Sequence, residues 1–345
     1  MKALYKSGRG VENVSLQDRP VPELNEVDNV RVKVHACAIC GMDNGIYHDR
    51  FPCKPPFIMG HEFVGTVEKI GADVERVAVG DRVVCQPHLY SCGKCDACRM
   101  DLPQLCRHKR SIGIERDGAM AEYVVVPQQY LHKLPESIPD SLACLLEPFS
   151  IVMGNLGIPV EQEKARNVVI IGAGQVGQLG IIAAKACGAE QVILSGVHRD
   201  HEFRFAVAKK LGADVVMDNA EEDVAQRVLE LTDGIGADIV LEASGSETGI
   251  HSAFHMVKNG GLISVMGGTK RDSVSVNWDV CLRKAARVHF HMMSDYRYMS
   301  RAIEIFANPY TDLSPIVTGE YSLENWQQAF ADIAAKKSIK NVLYL

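Results

Sequence analysis

The chain has 345 residues, 47% hydrophobic and 23% charged, with a net charge of −6. These values are ordinary for a globular protein, and the length predicts roughly two domains. No basic run interleaved with aromatic residues and no stretch near ~18 apolar residues occurs, so we expect no nucleic-acid partner and no membrane span.

Residues 1–150 predict a series of short strands. The segments NVRVKVHACAIC, EFVGTVEKIG, GDRVVCQ and AEYVVVP alternate or run apolar between Gly and Pro turn signals. This pattern is typical of an all-β, barrel-like unit. The opening MKALYKSGRGVENV lacks the apolar stretch of a signal peptide, so we expect a protein that stays in the cytoplasm.

Four cysteines interrupt this β region with the spacing C-x2-C-x2-C-x7-C: Cys92, Cys95, Cys98 and Cys106. Four thiolates on one short loop match a tetrahedral structural zinc site, which has no open position and does no chemistry. The alternatives are two disulfides or a thioredoxin-like C-x-x-C. The odd total of eleven cysteines, in a chain that is not a small secreted scaffold, favours reduced thiols and metal.

From about residue 165 the pattern alternates between strand and helix. Predicted strands are NVVIIG, QVILSG, DVVMD, ADIVLEASG and LISVMGG, and predicted helices are GQLGIIAAKACGA, RFAVAKKLGA, VAQRVLELTDG and IHSAFHMVKNGG. Such alternation predicts a parallel sheet with helices on both faces. After about residue 292, RYMSRAIEIFA and ENWQQAFADIAAKK predict helices, and NVLYL predicts a strand that rejoins a sheet.

The segment GAGQVG at 172–177 follows a strand and opens an apolar helix, the context that the dinucleotide fingerprint requires. We expect Gly172 to permit the tight turn, Gly174 to let a pyrophosphate approach, and Gly177 to let helix and strand pack closely. Gln175 and Val176 begin the helix whose N-terminus would face the phosphates. A glycine-rich turn without a ligand is the alternative.

The acid expected about 20 residues later, to hold the adenosine ribose, is missing. Gly196 stands about where it should be, and His198 and Arg199 follow, with Arg204 as a further candidate. These residues favour a 2′-phosphate and NADP. Alternatively Asp200 holds the ribose diol of NAD, so the sequence leaves NAD and NADP open.

Four scattered residues suggest a second zinc site: Cys40, His61, Glu62 and Glu147. Sulfur, imidazole and carboxylate are zinc ligands, and three protein ligands leave a position open for substrate, which makes such a zinc catalytic. Taken singly, His61 could be a satisfied buried histidine and Cys40 a small core residue.

With these features together, the chain resembles the zinc-dependent medium-chain dehydrogenases of the alcohol, sorbitol (polyol) and threonine dehydrogenase group. The resemblance covers essentially the whole chain. It rests on ICG-x-D at 39–43, GHE-x-x-G around His61, VGDRV at 79–83, the four-cysteine lobe, DGAMAEYVVVP at 117–127, LLEP at 145–148, GAGQVG, and VLEASG at 240–245.

The resemblance implies a fold of α/β and β class. A GroES-like catalytic domain at 1–150 and 292–345 would carry both zinc sites, and a Rossmann NAD(P)-binding domain at 151–291 would interrupt it. A cleft between them would hold nicotinamide beside zinc. By this resemblance Cys40, His61 and Glu62 ligate the catalytic zinc, and Glu147 ligates it or holds its water. A homodimer or homotetramer is also implied.

The chain departs from the family where the proton relay begins. Met42 replaces a usual Ser or Thr, Gly45 a common relay histidine, and Gly154 another frequent histidine. Substitute proton carriers could be Glu62, Glu147, His48 and His88, although both histidines could instead lie at the surface or behind the ligands. Asp43 is expected to buttress the zinc ligands.

Three further residues are candidate substrate or cofactor contacts: Tyr47, Arg297 and Tyr298. The simpler interpretations are that Tyr47 packs against other side chains and that Arg297 is a solvated charge. The sequence then predicts reversible oxidation of a secondary alcohol in a polyol, sugar-derived or related polyhydroxylated substrate, with hydride passing to NAD(P). The alternatives are a threonine or amino-alcohol dehydrogenase, a zinc-free quinone or enoyl reductase, and a fold that has lost activity.

Overall fold

The computed structural model describes all residues from 1 to 345, and these divide into two compact units. The first unit contains residues 1–148, 293–309 and 317–345, and the second contains 149–292 and 310–316. The chain therefore leaves the first unit, builds the second and returns. No helix is both long and apolar enough to cross a membrane.

The structure has eighteen strands and twelve α-helices. The strands are β1 (Lys2–Lys6), β2 (Val14–Asp18), β3 (Asn29–Ala38), β4 (Phe57–Ile58), β5 (Glu62–Ile70), β6 (Arg82–Cys85), β7 (His88–Tyr90), β8 (Arg110–Ser111), β9 (Tyr123–Pro127), β10 (Leu131–Lys133), β11 (Asn167–Ile171), β12 (Gln191–Gly196), β13 (Val215–Asp218), β14 (Ala237–Glu242), β15 (Val257–Val265), β16 (Arg287–Phe290), β17 (Val317–Ser322) and β18 (Lys340–Tyr344). The helices are α1 (Gly41–Tyr47), α2 (Asp96–Arg99), α3 (Asp140–Ala143), α4 (Leu146–Val152), α5 (Ile158–Glu163), α6 (Gln175–Ala186), α7 (Arg204–Lys210), α8 (Val224–Leu231), α9 (Glu247–Met256), α10 (Trp278–Lys284), α11 (Tyr296–Ala307) and α12 (Trp326–Ala334).

The first unit is built on a seven-stranded sheet with the order β10-β6-β5-β3-β18-β17, and β9 also pairs with β3. Valines at alternate positions of β3 are buried in a core that Trp326 and Phe330 of α12 also join. The returning strand β18 pairs antiparallel with the end of β3 and parallel with β17. This pairing confirms the strand predicted from NVLYL and brings the last part of the chain beside residues 36–38.

The second unit is a six-stranded parallel sheet with the order β13-β12-β11-β14-β15-β16. This is the strand order of the Rossmann fold, in which the first strand, here β11, lies at the centre. Its Val168, Val169 and Ile170 are fully buried, which explains the continuous apolar run in the sequence. Several predicted helices run past their observed ends. The largest excess is at α9, which ends at Met256 because Val257 takes extended dihedral angles and opens β15.

Candidate metal centres and nucleotide site

The four-cysteine lobe (residues 92–106) brings its sulfurs together. The Sγ–Sγ distances are 3.5 Å for Cys95–Cys98, 3.6 Å for Cys92–Cys106, 3.7 Å for Cys95–Cys106 and 4.0 Å for Cys92–Cys98. A tetrahedron with Zn–S bonds of ~2.3 Å has edges of about 3.8 Å. All eleven cysteines are free thiols. The spacing of the sulfurs therefore fits a zinc ion and leaves no disulfide in the lobe.

The lobe has almost no core of its own. Within it only Cys95, Gln104 and Cys106 are buried, whereas Met100 and Leu105 are exposed. Gln104 Nε2 donates to Asp295 Oδ2 at 3.0 Å, and this ties the lobe to the beginning of α11. Two of the four cysteines and one tether are thus the only fully buried residues of the lobe, so a bound metal would contribute much of what holds the loop's shape.

The four thiols do not ionise alike in the absence of metal. The backbone N–H of Cys98 and neighbouring thiols lower the pKa of Cys95 to about 6, whereas burial and the other cysteines raise the pKa of Cys98 to about 11. Zinc binds cysteine as thiolate, so a bound ion would remove this difference by taking all four in one charge state.

The second cluster gathers Cys40, His61 and Glu62, whose possible ligand atoms all lie within 4.8 Å of one another. Cys40 follows β3 and caps α1, while His61 and Glu62 stand at the start of β5. Because β3 and β5 pair antiparallel with Ala38 opposite Glu62, the end of one strand meets the beginning of the other. The three residues are therefore placed by sheet register.

Asp43 holds two of these residues in place. Its Oδ2 accepts the Cys40 backbone N–H at 2.9 Å, and its Oδ1 lies 3.5 Å from His61 Nδ1. Burial lowers the pKa of His61, but Asp43 and Cys40 outweigh burial and hold that pKa well above its usual value. A carboxylate behind one imidazole nitrogen leaves Nε2 for a metal, which is the usual arrangement behind a zinc-bound histidine.

Sequence reasoning missed Lys340, which pairs with Glu62. The Lys340 ammonium contacts Glu62 Oε2, and both side chains are completely buried. Glu62 Oε1 is buried with no hydrogen-bond partner and is therefore a candidate metal ligand atom. The only signal in the sequence was a lysine at the first position of β18, and it could not reveal the partner.

The charge of this cluster calls for a cation. A metal binds cysteine as thiolate and histidine as neutral imidazole. In that state Cys40, Asp43 and Glu62 would be three negative groups beside one positive group, Lys340, which leaves an excess of two negative charges. Burial, reinforced by Glu62, raises the pKa of Cys40, and His61 opposes that rise. Buried charges need compensation, and a divalent ion would supply it completely. The donor set thus fits a zinc ion in charge and in chemistry.

Glu147 lies in the first turn of α4 and is buried, but it is not one of the three clustered ligands. Its carboxyl interacts electrostatically with His61 and Glu62, and burial raises its pKa to about 7. It is therefore a group that could hold a proton beside the ligand set near neutral pH. Direct ligation of zinc by Glu147 stays a prediction.

The other relay candidates lie in less suitable places. His48 is exposed at the end of α1, where its ring contacts Tyr47. His88 is buried against Tyr130, not at the surface, and burial lowers its pKa to about 4. Met42 packs against the core of the first unit.

The two glycines at relay positions are closely surrounded. A Cβ on Gly45 would lie 3.3 Å from the Cβ of Phe51, and Gly154 is buried inside a π-helical turn at Met153–Gly157. A side chain at Gly45 would press on Phe51, and Gly154 lies in the interior. Neither glycine can supply the proton carrier that a histidine would.

The remaining predicted contacts pack or pair within the first unit. The Tyr47 ring lies 5.2 Å from Phe330 and 5.8 Å from Trp326, which makes it part of the core. Arg297 is not simply solvated: its Nε and Nη2 donate to Asp295 at 3.0 and 2.5 Å, and the Tyr298 ring lies 5.9 Å from its Cζ.

The glycine-rich turn has the shape that a pyrophosphate needs. Gly172 has φ +110°, a Cβ on Gly177 would lie 1.9 Å from the Gly172 oxygen, and a Cβ on Gly174 would meet nothing within 4 Å. No side chain caps α6, which begins at Gln175 and continues with Val176. The turn and the close packing of helix and strand are therefore as expected, and pyrophosphate binding at the helix N-terminus stays a prediction.

At the end of β12 the missing acid has a substitute nearby. A Cβ on Gly196 would lie 2.7 Å from Asp200 Oδ2, so this carboxylate fills the space of a strand-end side chain. The Val197 N–H and Arg204 Nη1 donate to Asp200, at 2.9 and 3.2 Å. Arg199 is exposed. A buried acid and an exposed arginine are therefore consecutive residues after this strand, which leaves NAD and NADP open.

Two family profiles match the chain: the alcohol dehydrogenase GroES-like domain over residues 26–136 and the zinc-binding dehydrogenase domain over residues 176–308. The chain is 37% identical to L-threonine 3-dehydrogenase of Pyrococcus horikoshii, over 99% of this chain and 97% of that one. It is 31% identical to sorbitol dehydrogenase of Halalkalibacterium halodurans, over 99% of both.

Among solved structures, galactitol-1-phosphate dehydrogenase of Escherichia coli superimposes with a TM-score of 0.90 at 26% identity, over the full length of both chains. These similarities confirm the resemblance and the fold class inferred from the motifs. The chain belongs to the zinc-binding alcohol dehydrogenase family of medium-chain dehydrogenases.

Proposed function

We propose that this protein reversibly oxidises a secondary alcohol in a polyol, sugar-derived or related polyhydroxylated compound to the ketone, with NAD(P) as the hydride acceptor. The names of its relatives, which include sorbitol and galactitol-1-phosphate dehydrogenases, support this substrate class. The single observation that carries the proposal is that possible ligand atoms of Cys40, His61 and Glu62 lie within 4.8 Å of one another, with His61 and Glu62 buried.

The side chains at each site indicate which group that site would hold and what the group would contribute. A zinc ion supplies Lewis acidity that lowers the pKa of a hydroxyl group, and nicotinamide supplies the redox chemistry. Cys40, His61 and Glu62 would hold the metal, Asp43 orients the imidazole, and Lys340 restrains one oxygen of Glu62. The turn at 172–177 would hold the pyrophosphate, and the lobe at 92–106 a second, structural zinc.

Glu147 is the proposed proton acceptor. Because Met42 cannot carry a proton, the alcohol's proton needs another acceptor, and Glu147 is buried near enough for its charge to affect His61 and Glu62. A substrate with several hydroxyl groups would depend less on the missing relay, since a neighbouring hydroxyl can pass the proton on. This is a further argument for a polyhydroxylated substrate.

L-Threonine is the second candidate substrate, because the threonine dehydrogenase of P. horikoshii is 37% identical to this chain over nearly its full length. A substrate screen distinguishes the two. Sorbitol, galactitol, their phosphates, L-threonine and simple secondary alcohols are each tested with NAD and with NADP, with Cys40→Ser as the inactive control. Turnover of polyols well above that of threonine is expected; turnover of threonine alone would reject the polyol proposal, and turnover of nothing would reject both.

We also propose a homo-oligomer in a reducing compartment, most simply the cytoplasm. β16 is an edge strand of the six-stranded sheet, and exposed Phe290, Trp278 and Leu282 lie on or near it. An exposed apolar edge of this kind invites pairing with a second copy. Sedimentation of the wild type and of Phe290→Lys tests this, since the wild type should sediment as a dimer or larger and the variant should dissociate more readily.

A further inference from the structure

A third group of metal-ligand side chains lies in the second unit, outside both predicted zinc sites. The ligand atoms of His198, His201, Asp218 and Glu221 all fall within 4.8 Å of one another. Asp218 Oδ2 lies 3.1 Å from His198 Nδ1 and 3.2 Å from His201 Nε2. Glu221 Oε1 lies 3.8 Å from His198 Nδ1 and 3.7 Å from His201 Nε2.

The local structure explains why these four side chains meet. The two histidines are three residues apart in the 3-10 turn His198–Glu202, and such a turn has about three residues per turn, so both point the same way. Asp218 ends β13 and stands in register with Gly196 at the end of the adjacent strand β12. The carboxyl ends of two parallel strands thus bring the loop with the histidines beside the loop with Glu221.

One ligand is rigid and three are accessible. The Asp218 side chain is 1% exposed, and its other oxygen accepts the Ala220 backbone N–H at 2.9 Å. The side chains of His198, His201 and Glu221 are at least half exposed. A fixed carboxylate surrounded by three side chains that can adjust is a suitable arrangement for capturing an ion from solvent.

Four of the six distances between the ligand atoms are close to those of tetrahedral coordination, and the other two are at most 4.8 Å. With ligand bonds of ~2.05 Å, a tetrahedral zinc site has edges of about 3.3 Å. The four nitrogen–oxygen edges of the cluster, at 3.1, 3.2, 3.7 and 3.8 Å, lie on either side of that value. Two imidazoles and two carboxylates are also a donor set that suits zinc and its neighbours in the first transition row.

We propose that His198, His201, Asp218 and Glu221 form a divalent transition-metal site, with Zn²⁺ as the expected ion. Imidazoles bind a metal in their neutral form, so with two carboxylates the ligand set would carry a net charge of −2, which a divalent cation cancels. This reassigns His198, which the sequence suggested as a partner for a 2′-phosphate, because the two carboxylates next to it attract cations and repel phosphate. The proposal does not depend on the substrate or on the dehydrogenase reaction.

A bound ion would link the loop after β12 to the loop after β13. It would therefore stabilise the segment from Val197 to Glu202, which contains Asp200 and borders the ribose end of the proposed nucleotide site. Because an ion that binds the folded state raises stability by mass action, added Zn²⁺ should raise the melting temperature.

The test counts metal on the full-length, reduced protein. Wild type, His201→Ala, Glu221→Gln and the control His251→Ala are dialysed against graded Zn²⁺, and zinc per chain is measured by mass spectrometry. His251 is an exposed histidine of the same unit, paired only with the ring of His255. Wild type and control should bind one equivalent more than His201→Ala, and Glu221→Gln should bind that equivalent at least about tenfold more weakly, since even residues behind a metal ligand contribute 10–100-fold.

Thermal melting under the same Zn²⁺ series gives a second measurement. The zinc-dependent rise in melting temperature should be present in wild type and His251→Ala and smaller in His201→Ala. The proposal is overturned if wild type and His201→Ala bind the same number of zinc ions throughout the series. Equal loss in His251→Ala would also overturn it, because the extra ion would then be bound by scattered surface histidines.

Discussion

The two predicted zinc sites of the first unit differ in how the chain builds them. The cysteine lobe draws all its ligands from one loop, whose outermost cysteines are 14 positions apart. The second site joins Cys40 to His61 and Glu62 across a sheet, and the ion partner of Glu62 lies 278 positions away. In the lobe, a metal would organise a loop that has no core. At the second site, the paired strands of an existing core bring the ligands together.

The two sites should therefore respond differently to the loss of a metal ligand. Loss of a ligand in the lobe should damage stability, because little else holds residues 92–106. Loss of a ligand at Cys40 should damage chemistry, because β3, β5 and β18 remain paired without the metal.

The largest expected effect is on turnover. Cys40→Ser should lower kcat/KM for the best substrate by about 10⁴-fold, roughly 5 kcal/mol of transition-state stabilisation, because Lewis acidity at the substrate hydroxyl is lost. Steady-state kinetics and zinc content check this. Cys53→Ser, which removes a half-buried thiol outside both clusters, is the control, and near-normal turnover of Cys40→Ser with its zinc gone would refute the proposed mechanism.

Cys95→Ser should affect the stability of the protein more than its turnover. We expect the free energy of unfolding to fall by ~4 kcal/mol, since part of the binding energy of a structural zinc is folding energy. Denaturant unfolding measures this, with Cys281→Ser as a control that removes a cysteine outside the metal clusters. Unchanged unfolding of Cys95→Ser would show that the lobe does not depend on its metal.

Lys340→Met tests whether the second site is held by its surroundings. Removing one partner of a buried ion pair leaves Glu62 uncompensated and should lower stability by ~3 kcal/mol. Because Zn²⁺ offsets the same charge, saturating zinc should recover part of the loss. Lys337→Met, an exposed lysine in the preceding loop, should cost less than ~0.5 kcal/mol. Equal stability of the two variants would contradict a structural role for Lys340.

The smallest of the four effects concerns Glu147. The pKa of this carboxyl is raised to about 7, so the proton-accepting form grows as pH rises through that value, and alcohol oxidation should accelerate with it. Glu147→Gln should lower kcat about 10²-fold and flatten this rise, as expected when a general base is lost. A pH profile of kcat from 5.5 to 9 is the measurement, and an unaltered rise in the variant would remove Glu147 from the proton route.

The sequence was sufficient wherever spacing along the chain fixed geometry. The clustering of the four cysteines, the turn at 172–177 and the parallel sheet implied by alternating β and α elements all depend on local or repetitive patterns. The sequence was insufficient where contacts between distant parts of the chain determine the geometry. Lys340 could not be matched to Glu62 because register across β3, β5 and β18 brings them together, and Asp200 could not be seen to fill the space beside Gly196 because its loop turns back.

The late position of β18 in the chain has a consequence for synthesis. Glu62 is made about 278 residues before the lysine that neutralises it. While the intervening second unit emerges from the ribosome, the early β segments cannot bury that carboxylate without either a proton or a captured metal. Zinc present during translation would therefore let the first unit begin to close early.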